Sequence, residues 1–263
     1  MSMFYISGML ALGLSVGLIS TALGLGGGIF MVPAFIEFVP GMDPNTAKGT
    51  SLFIIVFVAA ANTWRLNQND EDWQLPLAAL LAIGSITGAY LSGWFTASLP
   101  PKVILWIFIV FTGLAAARTF LLKPVQVKPE DVRRRRTVAV LIGFATGTVS
   151  GATGIGGGAV LVPLALWAGL VTNKRVSALS NTVMVATCSA GALAHFLAEK
   201  TTQTNWTAGQ VNIALAPLVF IGAQVAGPVG EWLNARLTFR RRKVVMGVIL
   251  LIIALRLGYR ALT

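Results

Sequence analysis

Long stretches without charge decide what this chain can become. No Asp, Glu, Lys or Arg occurs from Val138 to Thr172 or from Val176 to Ala198, and Lys102 and Arg118 bracket a third such block. Apolar runs of about 18 or more residues read as bilayer spans, because about 20 residues of helix cross the hydrocarbon. Inside hydrocarbon each backbone polar group must be bonded within the protein, which helices achieve segment by segment. Charged residues make up 11% of the 263, against about 25% in ordinary soluble domains, too few to build a water-facing surface. The expected fold class is therefore an all-α polytopic membrane protein.

Self-comparison organises the blocks. Gly17 to Pro33 reads GLISTALGLGGGIFMVP and Gly147 to Pro163 reads GTVSGATGIGGGAVLVP, with nine of seventeen positions identical at an offset of 130. The same register pairs Thr50-Ser51 with Ser180-Asn181. With small insertions it also pairs Trp73 with Trp206, Gly84 with Gly222 and Leu99 with Leu237. The chain thus reads as a first transmembrane repeat (1–122), a basic cytoplasmic linker (123–136) and a second repeat (137–263). Each repeat is expected to hold a glycine-broken segment (Phe4 to Phe38, Thr137 to Leu170) and three plain helices. In the first repeat the helices are Ala47 to Trp64, Leu75 to Ala97 and Pro101 to Leu122. In the second they are Val176 to Ala198, Ala208 to Trp232 and Lys243 to Leu262.

The net charge of +11 does not point to nucleic acid, since the basic residues gather between apolar blocks, where they signal topology. If the second broken segment dips in and returns on one face, fifteen of the 20 Lys and Arg share a side. Lys48, Lys102, Lys200, Arg256 and Arg260 lie opposite. A full crossing would divide them eleven to nine. The positive-inside rule favours the re-entrant hairpin, and the repeat carries it over to the first segment. Each half then crosses an odd number of times, so the repeats are inverted and both termini lie outside, an architecture known among transporters. Met1 to Gly8 lacks Lys and Arg, so no cleavable leader is expected.

Non-helical backbone survives at membrane depth only where it is buried in protein or lines a wet cavity. The triplets Gly26-Gly27-Gly28 and Gly156-Gly157-Gly158 are poor packing devices and good helix breakers. A helix restarting after such a break aims unpaired N–H groups and the positive end of its dipole at the cavity, which suits an anion. Thr50, Ser51, Ser180, Asn181, Asn62 and Gln224 are the candidate side-chain donors, with Ser20, Ser150 and Thr153 flanking the breaks. Pro33 and Pro163 are expected to end or kink the second arm of each hairpin. Gly154 to Ala159 formally fits G-x-G-x-x-A, but the acidic residue a dinucleotide fold needs about 20 positions on is missing. No Walker lysine follows either glycine run.

Other chemistry is sparse. His195, the only histidine, is read as an interfacial or capped packing residue, with proton coupling as the alternative. Glu37 and Glu231 are the plausible membrane carboxylates. Cys188 is alone, so no intrachain disulfide forms. No metal cluster, catalytic set or cofactor motif is evident, and an enzyme is not expected.

On GLGGGIFMVP, GIGGGAVLVP and the Thr50-Ser51 and Ser180-Asn181 positions after them, nearly the whole chain resembles the TauE/SafE family of sulfite-exporter-like membrane proteins. The resemblance implies export of sulfite, a sulfonate or a related organosulfur anion across the cell inner membrane. Its partners would be that small anion and the lipid bilayer. A carrier or channel for another solute, such as a carboxylate, and a non-transporting scaffold stay open at this point.

Overall fold

The structure is a computed structural model that describes residues 3–23, 27–68, 74–121, 127–129, 132, 135–202, 206–236 and 239–262. Its helices are α1 (Met3–Leu23), α2 (Gly28–Phe38), α3 (Pro44–Asn67), α4 (Leu75–Ala97), α5 (Pro101–Leu121), α6 (Arg136–Thr153), α7 (Gly158–Trp167), α8 (Val176–Leu197), α9 (Leu215–Arg236) and α10 (Phe239–Leu262). Among the described residues four stretches are long and apolar enough to cross a membrane: α3, α4, α8 and Pro101–Phe120 of α5. Large apolar side chains such as Trp94, Phe95, Leu114, Trp167 and Leu255 stand on the outside, the pattern of a surface meant for hydrocarbon. The class read from the charge-free blocks is the one found.

Local chemistry sets the helix ends. Asp43 caps α3, its carboxylate accepting from the Asn45 and Thr46 amides, and Pro44 fills the first helical position, where a missing N–H costs nothing. The carboxylate also accepts from the hydroxyls of Thr46 (2.6 Å), Thr201 (2.9 Å) and Thr202. Burial by itself would raise the Asp43 pKa. The bonds from Thr202, Thr46 and Thr201 outweigh it and hold the carboxyl below its usual 3.8.

The core forms where α3 and α8 cross. Ile29, Phe35, Leu52, Ile54, Ile55 and Phe108 are essentially inaccessible there, and a smaller cluster joins Leu81, Leu161, Val171 and Val183. The halves interlock: α6 lies along α4, and α1 lies along α9. Both seams are built from small residues. Gly143 and Gly147 rest on the backbone at Leu81 and Ser85, and Gly13 and Gly17 rest on Val219 and Ala223. Small residues let membrane helices approach closely where hydrocarbon supplies no hydrophobic drive.

Two expectations change. Residues 208–214 are not helical: Thr207–Ala208 pairs antiparallel with Val211–Asn212, and α9 starts only at Leu215. The hairpin places the Asn212 amide against Thr50 Oγ1 (2.9 Å), a bond a helix there could not make. Nor do the prolines end their helices, since α2 continues past Pro33 to Phe38 and α7 past Pro163 to Trp167. Each proline forfeits one backbone bond, while buried neighbours such as Val32, Phe35, Leu161 and Ala165 hold the segment.

Candidate functional site

The second break is fully drawn. α6 ends at Thr153, and Gly154, Gly156 and Gly157 take φ of 77°, 87° and 83°, a left-handed region open chiefly to glycine. α7 restarts at Gly158. In the first break Gly27 caps α2, while Gly24, Leu25 and Gly26 lie outside the described residues. The two breaks touch: a Cβ on Gly28 would stand 2.6 Å from the Gly154 carbonyl oxygen. The N-terminus of α2 thus abuts the Gly154 end of α6 inside the protein, and the first-turn amides of α2 have no intrahelical acceptor.

Beside the first break opens a small cleft, part of it continuous with the surroundings. Gly27, Asn62 and Gln224 line it, with Thr21, Met31, Ile54 and Gly227 among the other walls. Gln224 makes no hydrogen bond to a described residue. Asn62 is held in a chain of bonds. Arg65 Nη2 donates to its Oδ1 (3.0 Å), its Nδ2 donates to Asn181 Oδ1 (3.3 Å), and Asn181 Nδ2 donates to the Ser177 carbonyl (2.9 Å). The Arg65 guanidinium also lies over Gly227, where an added Cβ would be 3.4 Å from Nη1. A guanidinium therefore borders the lining, and none of the described lining residues is a carboxylate.

The remaining candidates serve the frame of the break. Ser51 donates to the Gly154 carbonyl (2.8 Å), and Thr50 accepts from the Asn212 amide (2.9 Å). Gly156 sits against Ile55 and Met184. Gly157 faces Thr146, and Gly158 lies against Met184 and Ser180, whose hydroxyl points to the Met184 sulfur (3.8 Å). The structure thus brings Gly27, Asn62 and Gln224 to one cleft, with Asn181 bonded to Asn62, and leaves Thr50, Ser51 and Ser180 as internal ties.

The repeat register gives this cleft a counterpart around the second break. Val16, Met31, Ile54 and Val58 correspond to Thr146, Leu161, Met184 and Cys188, and Asn62 to Ala192. Ser85 is the counterpart of Ala223, and these six are buried, whereas Ile86, the counterpart of Gln224, is exposed. The Thr146 hydroxyl has no hydrogen-bond partner among the described residues, Ser150 lies against the Cys188 thiol, and Thr187 donates to Ser85 (2.8 Å).

Two cations were read only as topology signals. Arg65 follows Asn62 by three residues, so it shares its helix face, and that spacing was the available clue. Lys48 was counted on the outer side. Instead it is completely buried, its Nζ donating to Thr96 Oγ1 (3.0 Å), and its Cα lies 2.8 Å from where a Gly154 Cβ would be. His195 is likewise inaccessible, a packed residue with its Nδ1 2.8 Å from Gln210 Oε1. Glu37 pairs with Arg256 at the protein surface, and the side chain of Glu231 lies outside the described residues.

Comparison with known proteins places these features in a lineage. Residues 9–257 match the family model described as sulfite exporter TauE/SafE. The probable membrane transporter protein YunE of Bacillus subtilis is 24% identical over 97% of both chains. A probable membrane transporter protein of Methanocaldococcus jannaschii is 26% identical over 92% of this chain and 91% of its own. One from Haemophilus influenzae is 27% identical over 67% of each. No solved structure matches.

Proposed function

The chain belongs to the sulfite exporter TauE/SafE family, and from that membership we propose that this multi-pass membrane transporter exports a small organosulfur oxyanion, sulfite or an organosulfonate, across the cytoplasmic membrane. It works as a secondary carrier or facilitator. One observation carries the choice of an anion: the cleft at the first break combines the N-terminal end of α2, the amides of Asn62 and Gln224 and the nearby Arg65 guanidinium, and its described lining residues include no carboxylate. Amide and guanidinium donors match the spread charge of sulfonyl oxygens, and the arginine fork is suited to two oxygens at once. On this reading the inverted halves, with both termini outside, bring the two dipole ends together at mid-membrane.

Purified protein in proteoliposomes tests the reading directly. Labelled sulfite and methanesulfonate are expected to move, and acetate, chloride and a cation to move far more slowly. Movement of acetate in preference to both sulfur anions would transfer the assignment to a carboxylate carrier. Movement of the cation alone would remove the anion reading.

A further inference from the structure

Across the break from the cleft lies a second buried polar group that the anion site does not use. It gathers where the N-terminal part of α3 meets α4, α8 and the β1–β2 hairpin. Lys48 and His195 are its titratable members, and both are completely inaccessible. Fully buried ionisable side chains in a membrane protein are costly, and they occur mainly on solute or proton pathways.

The hydrogen bonds fix the tautomer of the ring. Gln210 Nε2 donates to two carbonyls, Ala97 (2.9 Å) and Glu199 (3.3 Å), so the amide is oriented with Oε1 toward His195. Oε1 lies 2.8 Å from Nδ1 and can only accept, so Nδ1 carries the hydrogen. In the neutral ring Nε2 is then a bare lone pair, and it has no hydrogen-bond partner among the described residues. The acceptor beside the ring is the Gly151 carbonyl. Gly151 lies in the last turn of α6, where the break leaves carbonyls without a following amide. A proton placed on Nε2 therefore has somewhere to go: the imidazolium can donate to the end of α6 and sits at its negative dipole end.

The surroundings set the cost. Lys48 and Asp43, both from α3, are the charged groups in electrostatic reach of the ring. α4 contributes the Thr96 hydroxyl and the Ala97 carbonyl, the hairpin contributes the Gln210 amide, and α6 contributes only backbone. Lys48 has no carboxylate bonded to it. Thr96, its one acceptor, has its own hydrogen directed at the Ser92 carbonyl (2.7 Å). A second positive charge beside Lys48 is unfavourable until an anion arrives. The Lys48 backbone abuts Gly154, so its ammonium lies within one side-chain length of the break.

We propose that His195 is the proton-coupling residue of this carrier, taking one proton on Nε2 as the anion reaches Lys48 and releasing it when the anion leaves. The inference rests on the anion-carrier reading. Because binding linkage is reciprocal, the proton must favour the anion as much as the anion favours the proton, so the two travel in the same direction. The step is a proton transfer and nothing more: the neutral imidazole becomes imidazolium on one side and returns to neutral on the other.

The test uses the full chain in proteoliposomes with a pH dye inside and methanesulfonate outside, an anion of a strong acid that carries no proton of its own. Inward methanesulfonate is expected to acidify the lumen in proportion to uptake. His195→Gln should keep anion exchange and lose the acidification. Lys48→Met, which removes the neighbouring charge, should shift the pH of half-maximal uptake upward by about one unit. Uptake without acidification in the unaltered protein overturns the proposal and leaves the anion reading standing. So does a His195→Gln protein that acidifies normally, or an unmoved pH profile in Lys48→Met. If no anion moves at all, the carrier reading itself has failed, and the coupling proposal falls with it.

Discussion

The hydroxyl of Ser51 donates to the carbonyl of Gly154 at 2.8 Å, and through that bond the first repeat holds open the break in the second. Both residues are buried, so the bond has no water to replace it. Ser51→Ala leaves the carbonyl unsatisfied, at a cost of about 1–3 kcal/mol. A fall in melting temperature in detergent, together with slower transport, is the expected result. Unchanged stability would mean that Gly154 finds another donor.

Contact between the two breaks predicts a sharp size limit at Gly28. A methyl group there would stand 2.6 Å from the Gly154 oxygen and 2.7 Å from the Ile155 backbone, and backbone cannot swing aside as a side chain can. Gly28→Val is expected to abolish uptake. Gly157→Ala should be milder, because its φ of 83° costs an L-residue about 1–2 kcal/mol and Thr146 can shift by rotation. Equal uptake by the Gly28→Val and unaltered proteins would count against a meeting of the breaks.

Within the cleft, affinity and stability should separate. Gln224→Leu removes a donor that is bonded to no described residue, so the folded state loses little. The anion loses a hydrogen bond, about 1.5–3 kcal/mol when the partner is charged, or on the order of tenfold to a hundredfold in affinity. Arg65→Gln should cost at least as much and also loosen Asn62. Uptake measured against solute concentration gives the comparison, with the melting temperature as the control.

Asp43 makes the chain acid-sensitive at one place. Its folded pKa lies below its ordinary 3.8, so its stabilising effect is complete above that value and is lost as pH falls through the lower folded one. Asp43→Ala should weaken the α3 cap at neutral pH by about 1 kcal/mol and flatten the stability loss below pH 4. Thermal unfolding of both proteins across an acid series checks the sign.

Much of the frame could be read from residues alone, where the signal was local. Charge-free blocks bounded by Pro101 or Leu75 became helices with those starts, and the run around Gly154 to Gly158 became a break because contiguous glycines have no reason to stay helical. What was hidden depended on distant partners. The bonds of Lys48 to Thr96, Thr50 to Asn212 and His195 to Gln210 reach across elements whose juxtaposition no periodicity announces. Lys48 in particular looks like an ordinary loop cation, two residues from a Thr-Ser pair, until α4 closes over it.

The cleft and its counterpart in the second half are chemically unlike. Asn62 and Gln224 furnish the first with carboxamides, whereas Thr146, Ser150 and Ser85 bring alcohols to the matching buried place around the second break. The duplication has kept the frame of the two breaks while the polar groups beside them have diverged.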